Sequence, residues 1–133
     1  MKKWLLLDTN VLVRFFMNDI ADQCEKAKKI ISEVEQKKAY GIISLTVIQE
    51  LIWVLEDYYE LKRADYIPLV IQLLHLKCMV CAEGKKQYVL DALTRMKKCT
   101  LDFTDVYLCI IAKQKNYEVV SFDKGIHSLL KKE

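Results

Sequence analysis

The sequence predicts an α/β fold: a three-layer α/β/α sandwich with a mostly parallel central sheet. Short apolar runs of strand length alternate with longer stretches in which apolar residues recur every three to four positions. The 133 residues include only three Gly and one Pro, so most of the chain is free to form regular structure. No linker-like stretch, low-complexity tract or internal repeat divides it, which predicts a single domain over 1–133. Strands separated by helices need crossover connections, and these place helices over both faces of a parallel sheet.

The elements follow in order. "KKWLLLD" reads as a first strand, an apolar run stopped by Asp8. Residues 9–17 read as a short helix beginning at Thr9 or Asn10. From about Asp19 to Lys38, Ile20, Cys24, Ala27, Ile30, Ile31 and Val34 recur with charges between them, the pattern of an amphipathic helix. "AYGIIS" reads as a second strand and "LTVIQELIWVLEDYY" as a helix, with Thr46 and Gln49 forming its capping box. Residues 62–76 read as a further helix, which Pro68 allows only if the helix begins near it. "CMVCA" is a third strand, 85–97 and 103–115 are helices, "YEVVSF" is a final strand, and a short helix covers 124–132.

Composition removes several classes of function. Lys2 and Lys3 precede an apolar stretch that Asp8 ends too early for a signal peptide, and no apolar run approaches the roughly 20 residues of a membrane span. The cysteine count, five, is odd, and Cys24, Cys78, Cys99 and Cys109 lie in helical or apolar surroundings. A cytoplasmic protein with free thiols is expected rather than a disulfide framework. Cys78 and Cys81 form a C-x-x-C with no second pair at zinc spacing, so both read as packing residues. The net charge of +3 permits a nucleic-acid partner without requiring one.

In an open α/β sheet the functional crevice lies outside the carboxyl ends of the strands. Asp8 ends the first strand, Asp123 ends the expected last one, Glu50 lies one turn into the helix after the second, and Asp102 and Asp105 open the helix that leads to the final strand. Four segments are therefore expected to deliver carboxylates to one rim. Each acid also fits a structural role: Asp8 or Asn10 and Asp102 as helix caps, Asp105 against the helix dipole, Asp123 in a turn before Lys124 and Gly125. Glu50 lies beyond the capping box among Val47, Ile48, Leu51 and Ile52, where the helix has no need of it. Crowded carboxylates repel unless a cation holds them, and an all-oxygen set without His or thiolate selects Mg²⁺ or Mn²⁺.

The segments "LLLDTNVLV", "SLTVIQEL", "LDFTDVYLCIIAK" and "VVSFDKGI" resemble, in order and spacing, those of the PIN-domain family of metal-dependent ribonucleases, and most closely its VapC-type toxins of toxin–antitoxin pairs. The resemblance spans nearly the whole chain. It implies that Asp8, Glu50, Asp105 and Asp123 are the family's acidic quartet, catalytic and metal-binding. Asn10, Thr46 and Ser121 match its supporting polar positions and Asp102 a frequent additional acid; Ser121 stands where Thr is common.

Hydrolysis of an RNA phosphodiester through Mg²⁺ or Mn²⁺ is the chemistry this implies. Asn10, Thr46 and Ser121 are expected to hydrogen-bond the carboxylates and fix their rotamers. Arg14, Lys97, Lys98 and Lys124 are candidate phosphate contacts, equally readable as solvated charges. His75 and His127 are not placed as nucleophiles. The family resemblance further implies a protein antitoxin and a homodimer, and the apolar surplus of residues 45–55 and 67–76 offers an interface in which Trp53 and Leu55 would take part. A free-standing RNA-processing nuclease and a non-catalytic PIN-like binding module are the alternatives. A receiver domain lacks its paired acids in "DTN", and a flap-type DNA nuclease needs longer insertions.

Overall fold

The computed structural model describes residues 2–132. The chain divides into two compact units, Met1–Lys86 and Gln87–Glu133.

The first unit is built on three parallel strands in the order β1-β2-β3: β1 (Lys3–Leu6), β2 (Ala39–Ile43) and β3 (Met79–Cys81). Trp4 pairs with Tyr40 and Leu5 with Gly41, while Gly41 in turn pairs with Met79. Gly41 is needed for packing: a Cβ there would lie 2.8 Å from Met79 Sδ and 3.2 Å from Val34 Cγ2. On the outer side of β1 and β2, Trp4 stacks on Tyr40 with ring centroids 4.3 Å apart.

Four helices and a π-helical turn complete this unit: α1 (Thr9–Phe16), α2 (Ala21–Glu35), α3 (Leu45–Trp53), the π turn Val54–Tyr58, and α4 (Arg63–Leu74). The amphipathic spacing read in 19–38 is realised, with Cys24, Ala27, Ile31 and Val34 buried. The helix read over "LTVIQELIWVLEDYY" is α-helical only to Trp53 and continues as the π turn. That turn is fixed on its inner side by Leu55, 2% exposed, and by Glu56, which accepts from Arg63 Nε at 2.9 Å and from the buried Tyr66 hydroxyl.

Three expectations are corrected here. Thr46 is not the cap of α3; Ser44 is, accepting the Thr46 backbone N–H at 3.3 Å, and Thr46 Oγ1 lies 2.9 Å from Ser44 Oγ. Pro68 does not open its helix, because α4 starts at Arg63 and carries Pro68 inside it. Tertiary packing outweighs the lost hydrogen bond, since Tyr66, Ile67, Val70, Leu73 and Leu74 are all buried. Most of the apolar surplus of α3 and α4 is core of one chain: Ile48, Leu51, Ile52 and Leu55 are buried, so Leu55 does not belong to a surface for a second copy.

The second unit contains α5 (Lys86–Met96), α6 (Phe103–Lys115) and α7 (Lys124–Lys131). Asn116 ends α6 in the left-handed conformation that releases the chain from a helix. α6 packs on α7, and Cys109 and Ile126 are both buried. The final strand read in "YEVVSF" is absent among the described residues: 117–122 form no ladder, and Tyr117, Val120 and Phe122 are exposed. Alternating apolar residues suit a strand only where another strand supplies the ladder, and none is recorded for this segment. The wholly parallel sheet and its crossover helices agree with the α/β class read from the sequence. No disulfide joins the cysteines among the described residues; Cys24, Cys78 and Cys109 are buried, and burial pushes the half-buried Cys81 thiol up.

Candidate active site

Asp8, Ser44 and Glu83 each follow the carboxyl end of a strand, so the edge expected to carry function is the one where α1 and α3 begin. The β1 ladder ends when the Leu7 N–H donates to Ile42 O at 2.9 Å. The chain then turns, and Asp8 caps α1, its Oδ1 accepting the Thr9 N–H at 2.8 Å. Asp8 is exposed between the buried Leu7 and Thr9, so an acid beside an apolar run stays in contact with solvent. One carboxylate oxygen serves the helix. The other has no protein hydrogen-bond partner among the described residues.

Asp8, Asn10, Arg14 and Glu50 line one cavity of about 330 Å³, together with Trp53, Val54, Tyr58 and Tyr59. Glu50 lies beyond the first turn of α3 and is exposed rather than set in the apolar surroundings expected of it. Arg14 is already engaged: its guanidinium pairs with Asp19, whose other oxygen accepts the Tyr59 hydroxyl at 2.7 Å. The Arg14 bond, followed by the Tyr59 bond, holds the Asp19 carboxyl below the usual carboxylate range, and Asp19 in turn pushes the Tyr59 phenol up.

Glu83 escaped the sequence reading. It accepts the Leu45 backbone N–H at 2.8 Å and the Ser44 hydroxyl at 3.0 and 3.2 Å, so it holds the start of the helix that carries Glu50. The signal was available: Glu83 stands two residues past β3, on the same strand edge as Asp8.

In the second unit the acids gather at helix N-termini. Asp102 occupies the N-cap of α6 without a side-chain cap bond, and Asp105 sits in that helix's first turn. Asp123 caps α7, its Oδ1 accepting the N–H groups of Gly125 at 2.7 Å and Ile126 at 3.2 Å. Gly125 permits this approach, since a Cβ there would lie 3.0 Å from Asp123 Oδ1 and 2.7 Å from Leu101 Cδ2. Burial, and then the negative charges of Asp123 and Asp102, push the Asp105 carboxyl above its ordinary range.

The supporting polar residues do not bond the carboxylates as expected. Thr46 bonds Ser44, Ser121 Oγ accepts the Asp123 backbone N–H at 3.0 Å, and Asn10 makes no side-chain hydrogen bond among the described residues. The rotamers of Asp8 and Asp123 are fixed instead by backbone N–H groups of the helices they cap. Lys97, Lys98 and Lys124 are exposed, as are His75 and His127, the latter with Nε2 2.7 Å from Ser121 O.

The sequence pattern of the PIN domain matches residues 5–131 and so runs through both units. The chain belongs to the PIN-domain family. PIN domains are generally nucleases and typically use divalent metal ions. No curated protein matches this PIN domain. No helix is long and apolar enough to cross a membrane among the described residues.

Among the described residues, no three His, Cys, Asp or Glu form a group that could hold a metal ion. Asp8 and Glu50, which share one cavity, offer carboxylate oxygens, the donor type that a hard divalent cation takes.

Proposed function

We propose that this PIN domain is a Mg²⁺- or Mn²⁺-dependent endoribonuclease that hydrolyses RNA phosphodiester bonds through Asp8, Glu50, Asp105 and Asp123. The observation that carries the proposal is the family match over 5–131 combined with Asp8 and Glu50 on one open cavity at the carboxyl edge of the sheet. When bound, such an ion supplies a more acidic water and positive charge for the departing 3′ oxygen. The chain's own residues do the positioning. The cap bond from Thr9 N–H fixes Asp8 while leaving its second oxygen available, and the bonds from Gly125 and Ile126 do the same for Asp123. Asn10, with its amide uncommitted, is placed to donate to the RNA backbone. Arg14 can reach phosphate only in competition with Asp19, so Lys97, Lys98 and Lys124 are the freer phosphate contacts.

On family grounds we assign the protein the toxin role of a toxin–antitoxin pair, with a protein antitoxin and a homodimer as partners and the cytoplasm as its place of action. Purified protein is expected to cleave single-stranded RNA with either ion and to stop with EDTA. Cleavage that persists after exhaustive chelation removes the metal assignment. A species that stays monomeric by light scattering across the micromolar range removes the dimer.

A further inference from the structure

We propose that Trp53 and Tyr58 form a stacking subsite for one unstacked base of single-stranded RNA, beside the Asp8–Glu50 pair. This rests on the ribonuclease reading above and adds to it a residue-level account of how substrate is held.

Both side chains line the same cavity as Asp8 and Glu50, and both are open to solvent, Trp53 60% and Tyr58 71% exposed. Trp53 closes α3 and Tyr58 closes the π turn that follows it. Along α3, Glu50, Trp53 and Val54 share a face by the three-to-four spacing of an α-helix. Had the α-helix continued, the same spacing from Val54 would bring Asp57 and Tyr58 to the cavity. The π turn contains one extra residue per turn, and the cavity is lined by Tyr58 and Tyr59 instead, with Asp57 left outside it. The Tyr59 N–H closes this turn on Val54 O at 3.0 Å. A further carboxylate is thus exchanged for an aromatic ring next to two existing acids.

The tyrosine side of the platform is held before any ligand arrives. Tyr59 is fixed through its hydroxyl to Asp19, which is itself paired with Arg14. Tyr58 packs edge-on against Tyr59, with ring centroids 4.9 Å apart and planes at 80°. Leu55 and the Glu56–Arg63–Tyr66 group fix the opposite side of the same turn. Rings fixed in this way lose little freedom on binding. A flat, uncharged π-system is the ligand part that suits exposed aromatic faces in a cavity whose two carboxylates are unfavourable to a bare phosphate, and every base offers such a face.

The test uses the full chain. Its two tryptophans are Trp4 and Trp53, so Trp4→Phe leaves Trp53 as the single reporter. Adding a short single-stranded oligoribonucleotide should quench Trp53 emission, and an abasic ribose-phosphate chain of equal length should not. In cleavage assays, Trp53→Ala and Tyr58→Ala should each raise KM for single-stranded RNA by roughly tenfold with little change in kcat. Trp53→Phe and Tyr58→Phe should restore most of the loss. Cleavage by wild type with unchanged KM in both alanine variants overturns the subsite and leaves the ribonuclease reading standing. Base-dependent quenching in a protein that cleaves no RNA keeps the subsite and removes the ribonuclease reading. Equal quenching by the abasic chain, or quenching only by a basic peptide, overturns the base assignment, the latter in favour of a protein ligand.

Discussion

In the first unit Asp8 and Glu50 stand on an open cavity with aromatic neighbours, and helix starts are held by side chains reaching between strand ends. In the second, three acids meet at the N-termini of two helices, and the half-buried Asp105 bears the cost of its neighbours' charge. Both units attach carboxylates to helix N-termini, where backbone N–H groups offset negative charge. They differ in what else is present. The first unit surrounds its acids with groups able to recognise a ligand, whereas the second concentrates charge. On the proposed function, the first unit adds aromatic contacts beside its acids, and the second adds acids whose mutual repulsion a cation would offset.

The largest expected effect tests whether Asp8 acts beyond its cap. Asp8→Asn keeps an acceptor for the Thr9 N–H, and Asn caps about as well as Asp, so stability should change by less than about 1 kcal/mol. RNA cleavage should nevertheless fall by orders of magnitude. Wild-type cleavage by the Asn variant would reduce Asp8 to a structural residue and erase the functional side of the contrast.

Next comes the pair Trp53 and Leu55, two residues apart with opposite surroundings. Leu55→Asp buries an unpaired charge and should destabilise by roughly 4 kcal/mol or more, which denaturant titration would read as loss of the folded baseline. Trp53→Asp should stay within about 0.5 kcal/mol of wild type, because the ring is largely in solvent. Similar costs for the two would contradict the opposite burial that separates them.

The α-to-π transition marks where sequence reading stopped. Short apolar runs place β1 to β3, and the three-to-four spacing places the helices because burial enforces it over several turns. The π turn adds a single residue inside an apolar helix, and no spacing rule separates it from further α-helix. The strand read in "YEVVSF" failed because a strand requires a partner that its own residues do not encode. Asp8 and Asp102 were legible both as caps and as acids, Asp123 as a turn residue and an acid, and the structure gives all three cap positions. Glu83 was missed because its bonds go to Ser44 and Leu45, far away in sequence.

Glu83→Ala sharpens the first-unit side. It removes the acceptor for the Leu45 N–H and the partner of Ser44, while Ser44 still caps Thr46. Loss of about 1 kcal/mol is expected. If Glu83 positions α3, cleavage should fall modestly with it, and Glu83→Gln, which keeps an acceptor, should recover most of both. An unchanged melting temperature in the alanine variant would show that the bond to Leu45 adds nothing to α3.

The smallest effect concerns Asp105, and its sign follows from the direction of the shift. Burial and the charges of Asp123 and Asp102 raise its native pKa above the unfolded value of an ordinary Asp. The native state therefore binds this proton more readily, and the stability it confers is present below the unfolded pKa and lost as pH rises through the native one. At neutral pH, without divalent ions, ionised Asp105 is a liability. Asp105→Asn should then melt higher than wild type, by about 2 °C, as befits a site still partly open to solvent. The gap should close as pH falls below the ordinary carboxylate range, and adding Mg²⁺ should stabilise wild type more than the variant, by mass action. If the two proteins respond equally to Mg²⁺ while the pH-dependent gap is present, charge repulsion at Asp105 is real but unrelated to a cation, and the cation role proposed for the second unit's acids fails.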